Sequence, residues 1–346
     1  MDPVTSKAID LVEVAYDVEK SEADWLPDLL DAGVPLLDHG LGIVATRFER
    51  PPHGAGADLV LRDVCAKSLP TGMWARLEAA RSVLSADALR ALTSAGHAGT
   101  WTDVAQDYPE DCQRFLDELG CPDMLGLVAS DPWGLGIHLS APLPEAMRLT
   151  TRSRLRWQML GAHIAAAHRL RGTLADSSEP RRTAPTDLPH GAEAVLDAKG
   201  FRIVDSVGQA QKPNASELLR RAARRVDKAR GKLRKEDPQK ALEMWKALVH
   251  GRWSMIDWFD TDGRRFVLAR PNPPKVFDPR GLSEQECQVV TYVLLGESNK
   301  LIAYRLGLSQ GRVSGLLKSA MHKLGAKNKA QLVRQLRPLG IPTAAA

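Results

Sequence analysis

Between Leu282 and Leu336 three serines, Ser283, Ser298 and Ser309, each stand directly ahead of a short stretch with apolar residues three and four apart, and Gly296 and Gly307 close the first two stretches. A serine in that place caps a helix, because its hydroxyl accepts an orphan N–H of the first turn. A glycine ends one, because it enters the left-handed conformation without a Cβ penalty. This segment is therefore confined to short helices joined by tight turns. Ser283 with Glu286 forms a capping box, and Val289, Val290, Val293 and Leu294 give the first helix its apolar stripe. The second helix, NKLIAYRL, presents Ile302, Ala303 and Leu306 inward, and Gly307-Leu308 turns the chain. In the third, Val313, Leu316 or Leu317, Ala320 and Leu324 share the inner face, leaving Arg312, Ser314, Gly315, Lys318, Ser319 and His322 outside.

The charge distribution adds a second constraint. Lys and Arg against Asp and Glu number 11 to 24 over residues 1–150, 26 to 15 over 151–279 and 10 to 3 over 280–346, beneath a net charge of only +5. A cationic tail releases counterions when it neutralises phosphates, whereas the acidic first half is repelled by the same polyanion. Short polar and cationic side chains on one helix face suit a DNA major groove, where Arg and Lys donate to guanine or phosphate.

The tail resembles the LuxR-type helix-turn-helix family in three ordered motifs: LSEQECQVV, GESNKLIAYRLGLS and SQGRVSGLLKSAMHKLGA. The resemblance implies an all-α four-helix domain over 280–337 in a transcriptional regulator, with double-stranded DNA as partner, a homodimer paired through KNKAQLVRQLR, and room for contact with RNA polymerase. It implies DNA contacts from Lys300, Ser309, Arg312, Ser314, Gly315, Lys318, Ser319, His322 and Lys323, with Lys300 on the phosphate backbone and Ser314 and Lys318 in the groove. The pattern departs at Leu301, Arg312, Gly315 and Leu316, where a capping acid, Thr, a polar residue and His are usual. A sigma-factor-like initiation protein uses a similar motif, but no aromatic, basic strand-capturing helix precedes this one.

Upstream, helical spacing marks 4–19, 73–94, 104–119 and 150–174. Strand patterns mark LGIVATRFE and ADLVLRDVCAK, and MLGLVASDPWGLGIHLSAP reads as a hairpin turning at 130–134. Two further hairpins, AEAVLDAKGFRIVDSV and WSMIDWFDTDGRRFVLARPN, flank a basic helical region in which Leu219, Ala222, Val226, Ala229 and Leu233 form a narrow seam. That region reads first as a surface helix with solvated charges, and otherwise as a dimer or DNA contact. Proline-rich stretches at 176–191 and 271–279 read as linkers. The expected fold class is α+β: a GAF-like module over 1–175, two helices framing a mixed sheet, then a PAS-like module over 192–270, then the helical tail. A cavity in the first module would hold an unidentified small molecule, with Trp74, Trp101 and Trp133 as lining candidates, although core packing is the commoner role for such residues.

The acidic residues among the first 20 interrupt any signal-peptide core, and no apolar run reaches membrane-spanning length, so a cytoplasmic protein without membrane contact is expected. Cys65, Cys112, Cys121 and Cys287 form no CxxC pair, which favours free thiols over disulfides or a metal site. GxxxxGKS, GxSxG and HExxH motifs are missing, and His163 and His168, five apart, do not share a helix face. No enzyme and no cofactor are expected; an enzyme with a DNA-binding tail is the distant alternative.

Overall fold

The computed structural model describes residues 5–49, 60–93, 97–130, 134–176, 188–272 and 281–336. Most of both expected linkers, and Trp133 in the expected turn, lie outside these residues. The chain divides into two compact units, 1–15 with 20–165, and 16–19 with 166–346. The division falls inside a long helix, and the second unit holds both the middle block and the tail.

In the first unit α1 (Ser6–Ala15) and α2 (Glu22–Leu37) precede β1 (Ile43–Glu49) and β2 (Val60–Lys67). Helices α3 (Met73–Ser82) and α4 (Ala86–Leu92) follow, then β3 (Ala98–Thr100), α5 (Trp101–Val104), α6 (Pro109–Leu119), β4 (Asp123–Ser130), β5 (Leu135–Leu143) and α7 (Thr151–Asp176). The five strands lie in the order β2-β1-β5-β4-β3, and every pairing is antiparallel where a mixed sheet was expected. The single helix expected over 73–94 is two, because Ser85 caps a new start by accepting from Ala88 N–H at 3.2 Å. Of the helix expected over 104–119, α6 begins only at Pro109, a residue pre-set for a first turn.

Helix α2 carries Pro27 and Pro35 in its interior. An interior proline costs about 3 kcal/mol, and here burial of Trp25, Leu26, Leu29, Leu30, Leu36 and Leu37 offsets it. The indole N–H of Trp25 also donates to Ala15 O at 3.1 Å.

The sheet buries side chains on both faces. Ile43, Ala45, Leu125, Leu127, Ile137 and Leu139 alternate onto one face. Val44 and Met124 on the other belong to the core under α3, α5 and α6 with Leu77, Trp101, Cys112 and Phe115.

In the second unit β6 (Ala194–Asp197), β7 (Ile203–Ser206), β8 (Trp253–Phe259) and β9 (Arg265–Pro271) form an antiparallel sheet in the order β7-β6-β9-β8. Both expected hairpins are present, the first held at its turn by Asp197, whose carboxylate accepts from the amides of Lys199, Gly200 and Arg202. Between them run α8 (Ala215–Arg230), α9 (Leu233–Glu236) and α10 (Pro238–Met244). The buried seam of α8 is Leu219, Ala223, Val226 and Ala229, with Ala223 in place of the expected Ala222. Its registry is fixed by ion pairs of Arg230 with Asp257 and of Arg265 with Asp227.

The tail folds as α11 (Glu284–Leu294), α12 (Asn299–Leu306), α13 (Gln310–Lys323) and α14 (Lys329–Leu336). Their shared core holds Val289, Val293, Ile302, Leu306, Val313, Leu317, Ala320 and Leu332, all buried.

Candidate nucleic-acid interface

Each tail helix starts where its serine stands. Ser283 Oγ accepts from Glu286 N–H at 3.3 Å while the Glu286 carboxylate accepts from Ser283 N–H at 2.6 Å. Ser298 Oγ accepts from Leu301 N–H at 3.2 Å and Ser309 Oγ from Arg312 N–H at 3.1 Å. Gly307 sits at φ +63°, so α12 stops and α13 departs across it.

Val313 is fully buried and Leu316, Leu317 and Ala320 are buried beside it. Arg312, Ser314, Gly315, Lys318, Ser319, His322 and Lys323 are exposed on α13, as are Ser309 at its cap and Lys300 at the start of α12. A side chain added at Gly315 would meet open space, so glycine there leaves a gap in the face.

The exposed side chains differ in freedom. Lys318 and His322 make no hydrogen bond or ion pair through their side chains among the described residues. Ser314 Oγ accepts from Asn299 Nδ2 at 3.3 Å, which ties the face to α12. Arg312 donates to Gln285 Oε1 at 3.1 Å, and Gln285 Nε2 in turn donates to His250 O at 3.1 Å. Ser319 Oγ and Lys323 Nζ both donate to the Glu286 carboxylate, at 2.6 and 2.8 Å, and Lys323 also reaches Gly281 O at 3.1 Å. Burial by itself raises the Glu286 pKa, but the hydrogen bonds from Lys323, Ser319 and Ser283 outweigh it and hold the group at about 2. Ser319 and Lys323 therefore brace the recognition helix against α11.

Two supports of this face were not foreseen in the sequence. Glu297 and Arg305 form a buried ion pair in which Nε donates to Oε2 at 2.9 Å and Nη2 lies 2.8 Å from Oε1 without hydrogen-bond geometry, and the guanidinium lies over the Tyr292 ring. The segment after α10 forms a seat for α12 and its turn. Tyr304 Oη lies 2.6 Å from Leu242 O and 2.8 Å from Trp245 O, Leu248 N–H donates to Arg305 O at 3.1 Å, and Gly251 N–H donates to Leu306 O. A Cβ at Gly307 would lie 2.0 Å from Leu248 O, so glycine is needed both for its φ and for this approach. Such long-range pairings leave no local sequence signal.

A separate candidate ligand site lies within the first unit, where α3 and α4 cover the sheet face of Val44, Thr46, Phe48, Gly126, His138 and Ser140. The cavity has about 90 Å³ of room, and its walls include Trp74 and Trp101. Trp101 is stacked on Phe115 with ring centroids 3.9 Å apart, whereas Trp74 is exposed. His97 Nε2 is buried without a hydrogen-bond partner. Removal from water, aided by Arg154, lowers the His97 pKa to about 4; removal from water, aided by His97 and Arg81, does the same for His138. Both imidazoles are neutral at pH 7. The alternation of Gly126, His138 and Ser140 against Leu125, Ile137 and Leu139 is the sequence signal that marks this face.

Among the described residues no group of three or more His, Cys, Asp or Glu is placed to hold a metal ion, and no helix is long and apolar enough to cross a membrane.

A capped four-helix bundle that projects one polar, cationic helix face beyond a glycine turn defines a helix-turn-helix domain. Residues 280–336 match the family model of bacterial regulatory proteins, luxR family, and the tail is a domain of that family, the kind carried by DNA-binding transcription regulators. No curated protein is matched by the chain. Among solved structures the chain is similar to "Crystal structure of the phage VqmA-DPO complex", at 19% identity and a TM-score of 0.19. That likeness covers 27% of this chain and 50% of the other, so the chain spans about half the length of the structure it matches.

Proposed function

We propose that the protein binds promoter DNA as a non-enzymatic transcriptional regulator and couples that binding to the state of its first unit. The observation that carries the DNA reading is the exposed face of α13, where Arg312, Ser314, Gly315, Lys318 and His322 lie together above a closed apolar core. In this reading Lys318 and Ser314 enter the major groove with Arg312 and His322, Gly315 lets the helix approach closely, Ser309 sits at the helix entry, and Lys300 holds a phosphate. Ser319 and Lys323 flank the groove while bound to Glu286. Two copies pair through α14 on a two-fold related site, RNA polymerase is the downstream partner, and the cytoplasm is the place of action. GAF-like and PAS-like identities for the upstream blocks are part of the same proposal. The cavity with its unpartnered His97 supports a small-molecule signal.

Gel retardation of duplex DNA by the full chain tests the reading. Binding should weaken steeply with salt, and Lys318→Ala should reduce it with circular dichroism unchanged. No retardation at low salt sinks the DNA reading. Native mass spectrometry of the purified chain tests the sensor: a bound small molecule that leaves when the cavity is filled by Gly126→Leu supports it, and an empty protein with DNA binding intact removes that half.

A further inference from the structure

The cations of α8 fall into two sets. Arg220 pairs with Glu217 and Arg230 with Asp257, so these are matched within the unit. Arg221, Arg224, Arg225 and Lys228 are exposed and form no ion pair among the described residues. Arg221 and Arg225 are four residues apart, on one helix face, and line a groove of about 60 Å³ shared with Lys246, His250 and Gly307 of the helix-turn-helix turn.

The groove is continuous with the tail. Lys246 Nζ lies 4.3 Å above the ring of Tyr304, and Tyr304 stands one turn along α12 from Lys300. Burial, joined by Arg225 and Lys300 and opposed by Glu243, lowers the Lys246 pKa to about 8. Positive groups from α8, the following segment and α12 thus press on one another, with Glu243 the acid that answers them. Such a site carries unmatched positive potential, and phosphate is the ligand that relieves it. Because Tyr304, Leu248 and Gly251 hold this segment to α12, the groove is fixed in one body with the recognition helix.

We propose that Arg221, Arg225, Lys246 and Lys300 form a second phosphate-binding strip, extending the DNA interface from the N-terminus of α12 onto α8. The strip grips the DNA backbone beside the site read by α13 and adds affinity without base preference. It rests on the reading that the tail binds duplex DNA.

The test is the salt dependence of binding by the full chain to a mixed-sequence duplex. Arg221→Ala/Arg225→Ala should lower affinity about tenfold or more at low salt and flatten the slope of log K against log salt by about 2, one unit per lost phosphate contact. Arg221→Lys/Arg225→Lys should keep the wild-type slope. Lys199→Ala/Arg202→Ala removes the same charge from the β6–β7 turn and should leave the slope unchanged. An equal loss in the strip and turn variants, or no loss in the strip variant, overturns the strip while DNA binding stands. Failure of the wild-type chain to bind overturns the strip and the DNA reading together.

Discussion

The helical tail and the cavity of the first unit treat their interior polar groups in opposite ways. In the tail, Glu286 is held by Ser283, Ser319 and Lys323, and Glu297 by Arg305. In the cavity, His97 Nε2 has no partner, and His138 makes no side-chain hydrogen bond among the described residues. Charge-matched polar groups fix one geometry, which a reading head needs, even though Glu297 Oε1 and Arg305 Nη2 meet only as an ion pair. Unsatisfied ones leave hydrogen-bonding capacity for an occupant.

The largest effects should come from the tail's committed groups. Val313→Asp puts an unpaired carboxylate at a fully buried position and should unfold the tail, whereas Lys318→Ala should leave its circular dichroism intact. Arg305→Ala strands the Glu297 carboxylate and should cost about 3–5 kcal/mol in denaturant unfolding. Joint replacement, Glu297→Leu with Arg305→Leu, should recover most of that loss. If the single and double variants are equally damaged, the pair serves packing and not charge matching.

Gly307→Ala comes next. The left-handed φ costs a non-glycine residue about 1–3 kcal/mol, and the new methyl would displace Leu248 O. The expected outcome is loss of the seat under α12, read as faster hydrogen exchange at the amides of Leu248 and Gly251 with β8 and β9 still protected. Unchanged exchange there would mean that the turn does not depend on this approach.

Acidification should separate the two regions. The histidines have folded pKa values near 4, below the ordinary 6.5, so the unfolded state binds protons first. Stability of the first unit is therefore present above about 6.5 and falls as pH drops toward 4. Glu286, held near 2 against an ordinary 4.5, protects the tail until pH falls below about 4.5, and its contribution is lost on the way to 2. Hydrogen exchange at pH 5 should show the first unit loosened and the tail intact. The reverse order would contradict the contrast.

The difference also explains what was legible in the sequence. Caps at Ser283, Ser298 and Ser309 and the break at Gly307 act within a few residues, so the tail could be read helix by helix. Helix α2 could not, because Pro27 and Pro35 break the local pattern and only tertiary burial restores it. The seat under α12 joins residues about sixty apart, such as Tyr304 and Leu242, and periodicity carries no trace of it. Trp74 and Trp101 were legible as cavity candidates, but the polar character of the wall comes from His97 and His138, brought together by cross-strand register and the gap at Gly126.

The smallest expected effect is the sharpest test of the contrast. His97→Leu replaces an imidazole whose buried nitrogen has no partner with an apolar group of similar size. Removing a partnered buried group leaves its partner stranded at a cost of about 1–3 kcal/mol, whereas removing an unpartnered one strands nothing and relieves its desolvation. Stability of the first unit at pH 7 should stay the same or rise by up to about 1 kcal/mol, and the loss between pH 6.5 and 4 should become smaller because one of two depressed histidines is gone. Denaturant melts of wild type and variant at pH 7 and pH 5 measure both. A loss of more than about 2 kcal/mol at pH 7 would show that His97 is as firmly committed to the fold as Arg305, and its free nitrogen would no longer mark a place for a ligand.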